Sequence, residues 1–420
     1  MTGEPWFTTT GDAAPLPRLA MLADDVTGAC DAGVQFSQRG AATRVYLELP
    51  QQPATSAEVS VLVTHSRGDP PDEAVRKVRQ ACDWIAASGA KLCYKKIDST
   101  LKGNVGAELE ALRNQFPHRL ILLSPSFPKM ERVVVDGWLR VRSSEAIEPI
   151  HLLSLLTSQG AGRLMHIRQP AGSSGTLIER IRQAEAAGAR IITIDAVSES
   201  HLWEIAKVAA QIVPQPLLVG SAGVAAAWSE LLLTTVRGKS DEAKPTASLA
   251  RVVSASVPGS QPGPVVLCIG STNPVTCQQL QRLRDTQRVE VFDWRQNDPN
   301  RAEAALAQGS HLLFRMPPCA GDELDLPPLL SAIVGSSQVR GVLCSGGDTA
   351  RLMCSSLGVQ AIELRTEILP GLPWGILIGG PANHLPVCTK AGGFGDSEAL
   401  CQAVNFLAVQ SRFRGEHSDC

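Results

Sequence analysis

Short apolar runs alternate with longer amphipathic stretches along most of the chain. "LAMLA" (19–23), "TRVYLEL" (43–49), "VSVLVTH" (59–65), "RLILLSP" (119–125), "RIITIDA" (190–196) and "PLLVG" (216–220) have the length and apolar content of buried strands. The stretches 72–90 and 175–189 carry helical spacing and close on Gly or Ala-Gly-Ala. Strands alternating with helices imply parallel sheets covered on both faces. The alternation breaks at 236–263, which is rich in Ser, Pro, Gly and charge. It restarts with "PVVLCIGS" (264–271), "GVLCSGGD" (341–348) and "WGILIGG" (374–380). The expected fold is therefore two α/β domains, with mainly parallel sheets and ligand sites at the carboxyl ends of strands. The expected division is a flexible tail at 1–17, a first domain at 18–236, a linker at 237–263 and a second domain at 264–420.

The first strand ends on two adjacent acids, Asp24 and Asp25. The helix that follows is expected from about Thr27 to Arg39, with Gly40 just past its end. One carboxylate can cap the free N–H groups of that helix, but two neighbours cannot both do so well. The other is either solvated or available as a general base or ligand. A second strand end, "YKKIDSTLKGNVGAELEAL" (94–112), gathers Lys95, Lys96, Asp98, Ser99 and Thr100 before a helix starting near Gly106. Such a set suits a small hydroxylated anion, with Lys for a carboxylate or phosphate and Asp and Ser for hydroxyls. The same residues would also serve as ordinary turn and cap residues. Arg67 follows the third strand in "VTHSRGDP" (63–70). Its fork matches a carboxylate, although taken alone the arginine is better explained as a surface residue.

Three glycine-rich turns mark the second half. "VVLCIGSTNPVTCQQLQRL" (265–283) runs from strand to helix, with Asn273 suited to the N-cap and Pro274 to the first helical position. "GVLCSGGDTARLMCSSLG" (341–358) repeats the logic, and "TKAGGFGDSEAL" (389–400) adds a turn preceded by a lysine. Glycines at such turns let a phosphate approach the backbone at a helix N-terminus. Glycine is common at any such turn, but three in one domain favour a nucleotide site. Neither a G-x-x-x-x-G-K-[ST] motif nor a G-x-G-x-x-G motif after a strand is present.

Composition narrows the function classes. Aromatics make up 4% of the 420 residues and the net charge is −2 without a basic run, so a general nucleic-acid binder is not expected. No run approaches the ~18–20 apolar residues of a membrane helix, and the first 17 residues lack the features of a signal peptide. The eleven cysteines form no C-x-x-C pair, which points to reduced and largely buried thiols in a cytoplasmic protein.

Taken in order, "ADDVTGACDAG", "SRGDP", "YKKIDSTLKGNVGAEL", "PSFP…R…DG", "GSTNPVTCQQL", "SGGDTA" and "TKAGGFG" resemble the four-carbon acid sugar kinases over roughly residues 18–405. The resemblance implies phosphorylation of the 4-hydroxyl of a sugar acid such as threonate, erythronate or a 3-oxo-tetronate. It also implies ATP with Mg²⁺, an acid-binding first domain and an ATP-binding second domain. The "KKIDST" form looks closer to the D-threonate/D-erythronate branch. By the same resemblance, Asp25, Arg67, Lys96, Ile97, Asp98 and Ser99 line the substrate site, with Asp25 the catalytic base. Ser271, Gly346, Gly347, Asp348, Thr349 and Gly393 line the nucleotide site. Lys102, His65 and Glu131 depart from the family pattern near the substrate site.

The expected mechanism is in-line transfer from Mg²⁺-bound ATP, with Arg67 and Lys96 on the substrate carboxylate, Asp24 ordering the turn and Asp25 taking the proton. Asp348 would either cap its helix or reach Mg²⁺ or a ribose hydroxyl. Domain closure around both ligands is expected, because water must be kept from the phosphate. The partners are thus a sugar acid and ATP, with a homo-oligomer left open and no nucleic acid or membrane. Two rivals are a two-domain hydroxy-acid dehydrogenase, which lacks its dinucleotide motif here, and a non-catalytic sugar-acid-binding protein, which the glycine turns disfavour.

Overall fold

Each apolar run identified above becomes a strand buried along most of its length, and each amphipathic stretch becomes a helix laid on the sheet. The structure is a computed structural model that describes residues 18–51, 57–142, 148–168, 174–237, 262–317 and 328–411. The expected tail at 1–17 and nearly all of the expected linker at 237–263 lie outside the described residues.

The chain forms two units, and each contains a run of parallel strands. The strands of the first are β1 (Leu19–Ala23), β3 (Val59–Val63), β4 (Lys91–Lys96), β5 (Ile121–Ser124), β9 (Leu164–Ile167), β10 (Ile191–Ile194) and β11 (Leu217–Gly220). They lie in the order β3-β1-β4-β11-β5-β10-β9, all parallel. From β1 the chain moves outward to β3 and then returns to the other side of β1 to form β4. The order therefore reverses at β1 and β4, and that switch point is where open α/β sheets bind ligands. A small antiparallel sheet of β6 (Arg132–Val135), β7 (Trp138–Val141) and β8 (Ile150–His151) completes this unit.

One element departs from the expected domain boundary. Strand β2 (Thr43–Tyr46) belongs with residues 42–48 to the second unit, not the first. It pairs antiparallel with β16 (Ala361–Leu369), and Arg44 grips Glu363 from Nε (3.2 Å) and Nη2 (2.8 Å). The rest of the second unit consists of β12 (Val265–Ile269), β13 (Val289–Asp293), β14 (His311–Arg315), β15 (Gly341–Ser345), β17 (Leu372–Ile378) and β18 (Pro386–Lys390). The order β13-β14-β12-β15-β18 is parallel, and β17, β16 and β2 continue it antiparallel. Here too the chain leaves β12 on one side and resumes at β15 on the other, so a second switch point lies between those strands.

Helix ends follow local chemistry. The helix Val26–Ser37 starts at Asp25, Pro71–Ser88 starts on its own proline, and Pro274–Thr286 is capped by Asn273, whose side chain accepts from the Val275 N–H at 3.0 Å. Among the described residues no helix is long and apolar enough to cross a membrane. The described cysteines are free thiols, and all but Cys277 are buried. Burial pushes the Cys82 and Cys93 thiols up to about 12, so they are poor nucleophiles.

Candidate functional site

The first switch point gathers the residues singled out in the first half. Asp25 has an extended backbone and is the N-cap of Val26–Ser37. Its Oδ1 accepts from the Gly28 N–H at 2.9 Å and its Oδ2 from the Thr27 hydroxyl at 2.6 Å. The ordering of this turn, expected of Asp24, thus falls to Asp25. Asp24 instead takes the guanidinium of Arg67 side-on, with Nε and Nη2 each 2.9 Å from its oxygens. Arg67 Nη2 also lies 2.8 Å from Asp25 Oδ1, and Nη1 lies 3.6 Å from Asp98 Oδ1. The arginine expected to be a free fork for a substrate carboxylate is thus already ringed by three carboxylates of the protein.

The network is electrostatically tight. Burial alone would push the Asp24 carboxyl up, but Arg67, aided by Lys95 and Lys96, holds it below the usual carboxylate range. Asp98 behaves likewise, with Arg67, the Thr100 hydroxyl, Lys96 and the Lys102 N–H outweighing its desolvation. Asp98 accepts from the Thr100 N–H at 3.0 Å and from the Lys102 N–H at 3.3 Å. Lys96 is buried, and its Nζ donates to the Ile97 carbonyl at 2.9 Å. Ile97 itself is a core side chain, so what it can offer a ligand is backbone. Ser99 is buried beside them at 8% exposure.

One supporting pair was missed in the sequence. Lys95 and Lys96 alternate across their strand, and Lys95 turns to Glu108 on the helix Val105–Gln115. Its Nζ lies 2.6 Å from Glu108 Oε2, with the two side chains 0% and 2% exposed. The other Glu108 oxygen accepts from Ser66, the residue before Arg67. Asn104 donates to the carbonyls of Ser66 (2.9 Å) and Asp69 (2.8 Å), fixing the same loop. The strand alternation and an acid in the first turn of the next helix were the signals for this pair. Of the three departures from the family pattern, Lys102 is exposed, and His65 and Glu131 have left-handed backbones with φ of 51° and 63°.

The second switch point carries the glycine turns. Ser271 follows β12, and its hydroxyl accepts from the Asn273 N–H at 3.3 Å and lies 3.3 Å from the Thr276 hydroxyl. Gly346 follows β15 with φ 111°, a conformation that demands glycine, and is the N-cap of the helix Gly347–Ser356. Asp348 stands exposed in the first turn of that helix and is not its N-cap. Thr349 is buried under the turn. The third turn packs on the first: a Cβ at Gly392 would collide with the Ser271 hydroxyl. Gly393, in the same turn, is half-buried. The structure thus brings Ser271, Gly346, Gly347, Asp348, Thr349 and Gly393 to one edge of the second run of parallel strands. The uncapped N-terminus of the helix Gly347–Ser356 and the close-packed glycines fit polyphosphate. Among the described residues, no group of three or more His, Cys, Asp or Glu is placed to hold a metal ion.

Comparison with known proteins agrees with this division of labour. A family model described as a sugar-binding N-terminal domain matches residues 19–228, and one described as a nucleotide-binding C-terminal domain matches residues 326–400. The chain belongs to the four-carbon acid sugar kinase family. It is 28% identical to a D-threonate kinase of Salmonella typhimurium, covering 93% of this chain and 98% of that one. It is 27% identical to a D-erythronate kinase of Heliobacterium modesticaldum (94% and 98%) and 27% identical to a 3-oxo-tetronate kinase of Cupriavidus necator (95% and 99%). A solved structure from Haemophilus influenzae shares the fold, with a TM-score of 0.65 at 21% identity over 92% of this chain and 99% of that one. The protein is therefore a phosphotransferase that uses ATP on a four-carbon sugar acid.

Proposed function

We propose that this kinase phosphorylates the 4-hydroxyl of D-threonate or D-erythronate, with Mg²⁺ carried on the phosphates of ATP. The observation that supports it most is the charge set at the first switch point, where Asp24, Asp25 and Asp98 surround Arg67 with Lys96 alongside. Carboxylates accept hydrogen bonds from several hydroxyls at once, and the Lys96 ammonium and Arg67 guanidinium supply charged donors for a carboxylate on the ligand. In this reading Lys96 and the Nη1 edge of Arg67 meet the substrate carboxylate. Asp98, Ser99 and the backbone at Ile97 take its hydroxyls. Asp25 accepts the proton of the 4-hydroxyl as its oxygen bonds to the γ-phosphorus and the bond to ADP breaks. Ser271, Gly346, Gly347, Thr349 and Gly393 hold the phosphates, and Asp348 reaches the ribose or the ion.

The relatives named 3-oxo-tetronate kinases are nearly as similar, so 3-oxo-tetronates are the competing acceptors. A coupled ADP-release assay with Mg·ATP and a panel of D- and L-threonate, D- and L-erythronate and 3-oxo-tetronates tests the assignment. The highest kcat/KM on D-threonate or D-erythronate supports it. Preference for a 3-oxo-tetronate, or turnover of none, overturns it.

A further inference from the structure

Lys390 closes β18, and its side chain is fully buried. Its Nζ donates to the Thr276 hydroxyl at 3.2 Å and to the carbonyls of Ala391 and Gly392 at 3.1 and 2.9 Å. All three acceptors are neutral. The groups facing it are of the same kind. On its own strand lies the buried Cys388 thiol. From β15 comes Ser345, its register partner. The helix Pro274–Thr286 contributes the Thr276 hydroxyl, and the helix Ala399–Ala408 has Cys401 as its titratable residue. A buried ammonium among neutral dipoles is costly to charge, and burial brings the Lys390 amine down to about 7.

The same contacts orient the glycine turn. Lys390 draws the Ala391 and Gly392 carbonyls toward itself. In a planar trans peptide the N–H points opposite to the C=O. The N–H groups of Gly392 and Gly393 are therefore aimed away from Lys390, as successive backbone donors of an anion-binding concavity. Thr276 ties the arrangement to Ser271 of the neighbouring turn, and it donates to Gly392 O at 2.7 Å.

We infer that Lys390 is a positioning residue for nucleotide, that the bound polyphosphate acts as its counter-ion through the Gly392–Gly393 turn, and that nucleotide binding is coupled to protonation of Lys390. The inference rests on the glycine turns being the phosphate site. A phosphate anion near the turn favours the ammonium, so above neutral pH the complex takes up a proton that the free protein lacks.

Calorimetric titration of the full chain with Mg·ATP at pH 8, in two buffers of different ionisation enthalpy, counts that proton. The expected uptake is of the order of one proton per nucleotide, falling toward zero in Lys390→Gln. That variant should also bind nucleotide about ten- to hundredfold more weakly at pH 7. Equal uptake by both proteins overturns the inference. Absence of ATP binding by the parent protein overturns the phosphate-site reading instead, so the two failures are distinct. If Lys390→Gln does not fold, the parent protein decides alone. Its ATP affinity should fall up to about tenfold per pH unit above 7, and a flat profile between pH 7 and 9 overturns the coupling.

Discussion

Arg67 and Asp24 are joined side-on, through two hydrogen bonds of 2.9 Å each, at the first switch point. This pair holds the charge of the candidate site in place, because the guanidinium also touches Asp25 and faces Asp98. Neither acid at the end of β1 is spare. One is committed to the arginine and the other to the helix, and any chemistry must be done by a carboxylate that already has partners.

Asp25→Asn separates catalysis from capping. Asparagine caps about as well as aspartate, so the variant should lose less than about 1 kcal/mol of stability. It should lose most of kcat, about 10²-fold or more, with ATP affinity nearly unchanged. Steady-state kinetics with a nucleotide titration checks this, and an active Asp25→Asn enzyme would remove Asp25 from the base role.

The Arg67 network predicts an acid-side stability limit. The Asp24 and Asp98 carboxyls are held below their ordinary value of 3.8 in the folded protein. Their contribution is therefore complete above that value and is lost as pH falls through the lower folded values. In Arg67→Met the main counter-charge is gone and burial pushes both carboxyls upward. Both carboxyls then bind protons more tightly in the folded than in the unfolded state, so the variant should be less stable than the parent near pH 7 and its deficit should shrink as pH falls toward 3. Urea midpoints measured from pH 3 to 7 test the sign.

Lys95 and Glu108 form a buried pair whose single-partner removal leaves an uncompensated charge. Glu108→Ala should cost about 3–5 kcal/mol and should also loosen the Ser66–Arg67 loop, raising KM for the acid. Chemical denaturation and substrate titration read the two effects separately.

Glu131 departs from the family pattern at a position with a left-handed backbone, φ 63°, where its N–H closes a turn on the Pro128 carbonyl. A non-glycine residue there costs roughly 1 kcal/mol. Glu131→Gly should therefore raise the melting temperature or leave it unchanged, and a marked fall would show that the Glu131 side chain is itself stabilising.

Much of the framework was legible in the sequence because buried parallel strands are continuous apolar runs ending in polar turns. β1, β3, β10 and β12 are such runs. The Asn273 cap and Pro274 start are local signals, and the structure uses both. What the pattern could not give was pairing over long distances. The run containing Thr43–Tyr46 reads as a strand, but its partner lies more than 300 residues away at 361–363. The division of work between Asp24 and Asp25 depends on one residue's backbone, φ −147° and ψ 164° at Asp25, which adjacent identical side chains do not reveal. The engagement of Arg67 by carboxylates is likewise tertiary, since the side chain comes from one strand end and its partners from two others.

The product decides the central claim. NMR of the species formed from Mg·ATP and D-threonate or D-erythronate should show phosphorus coupled to the C4 methylene, with none at C2 or C3. Phosphorus on another carbon, or no phosphorylated acid from either substrate under conditions where ATP binds, would contradict the assignment.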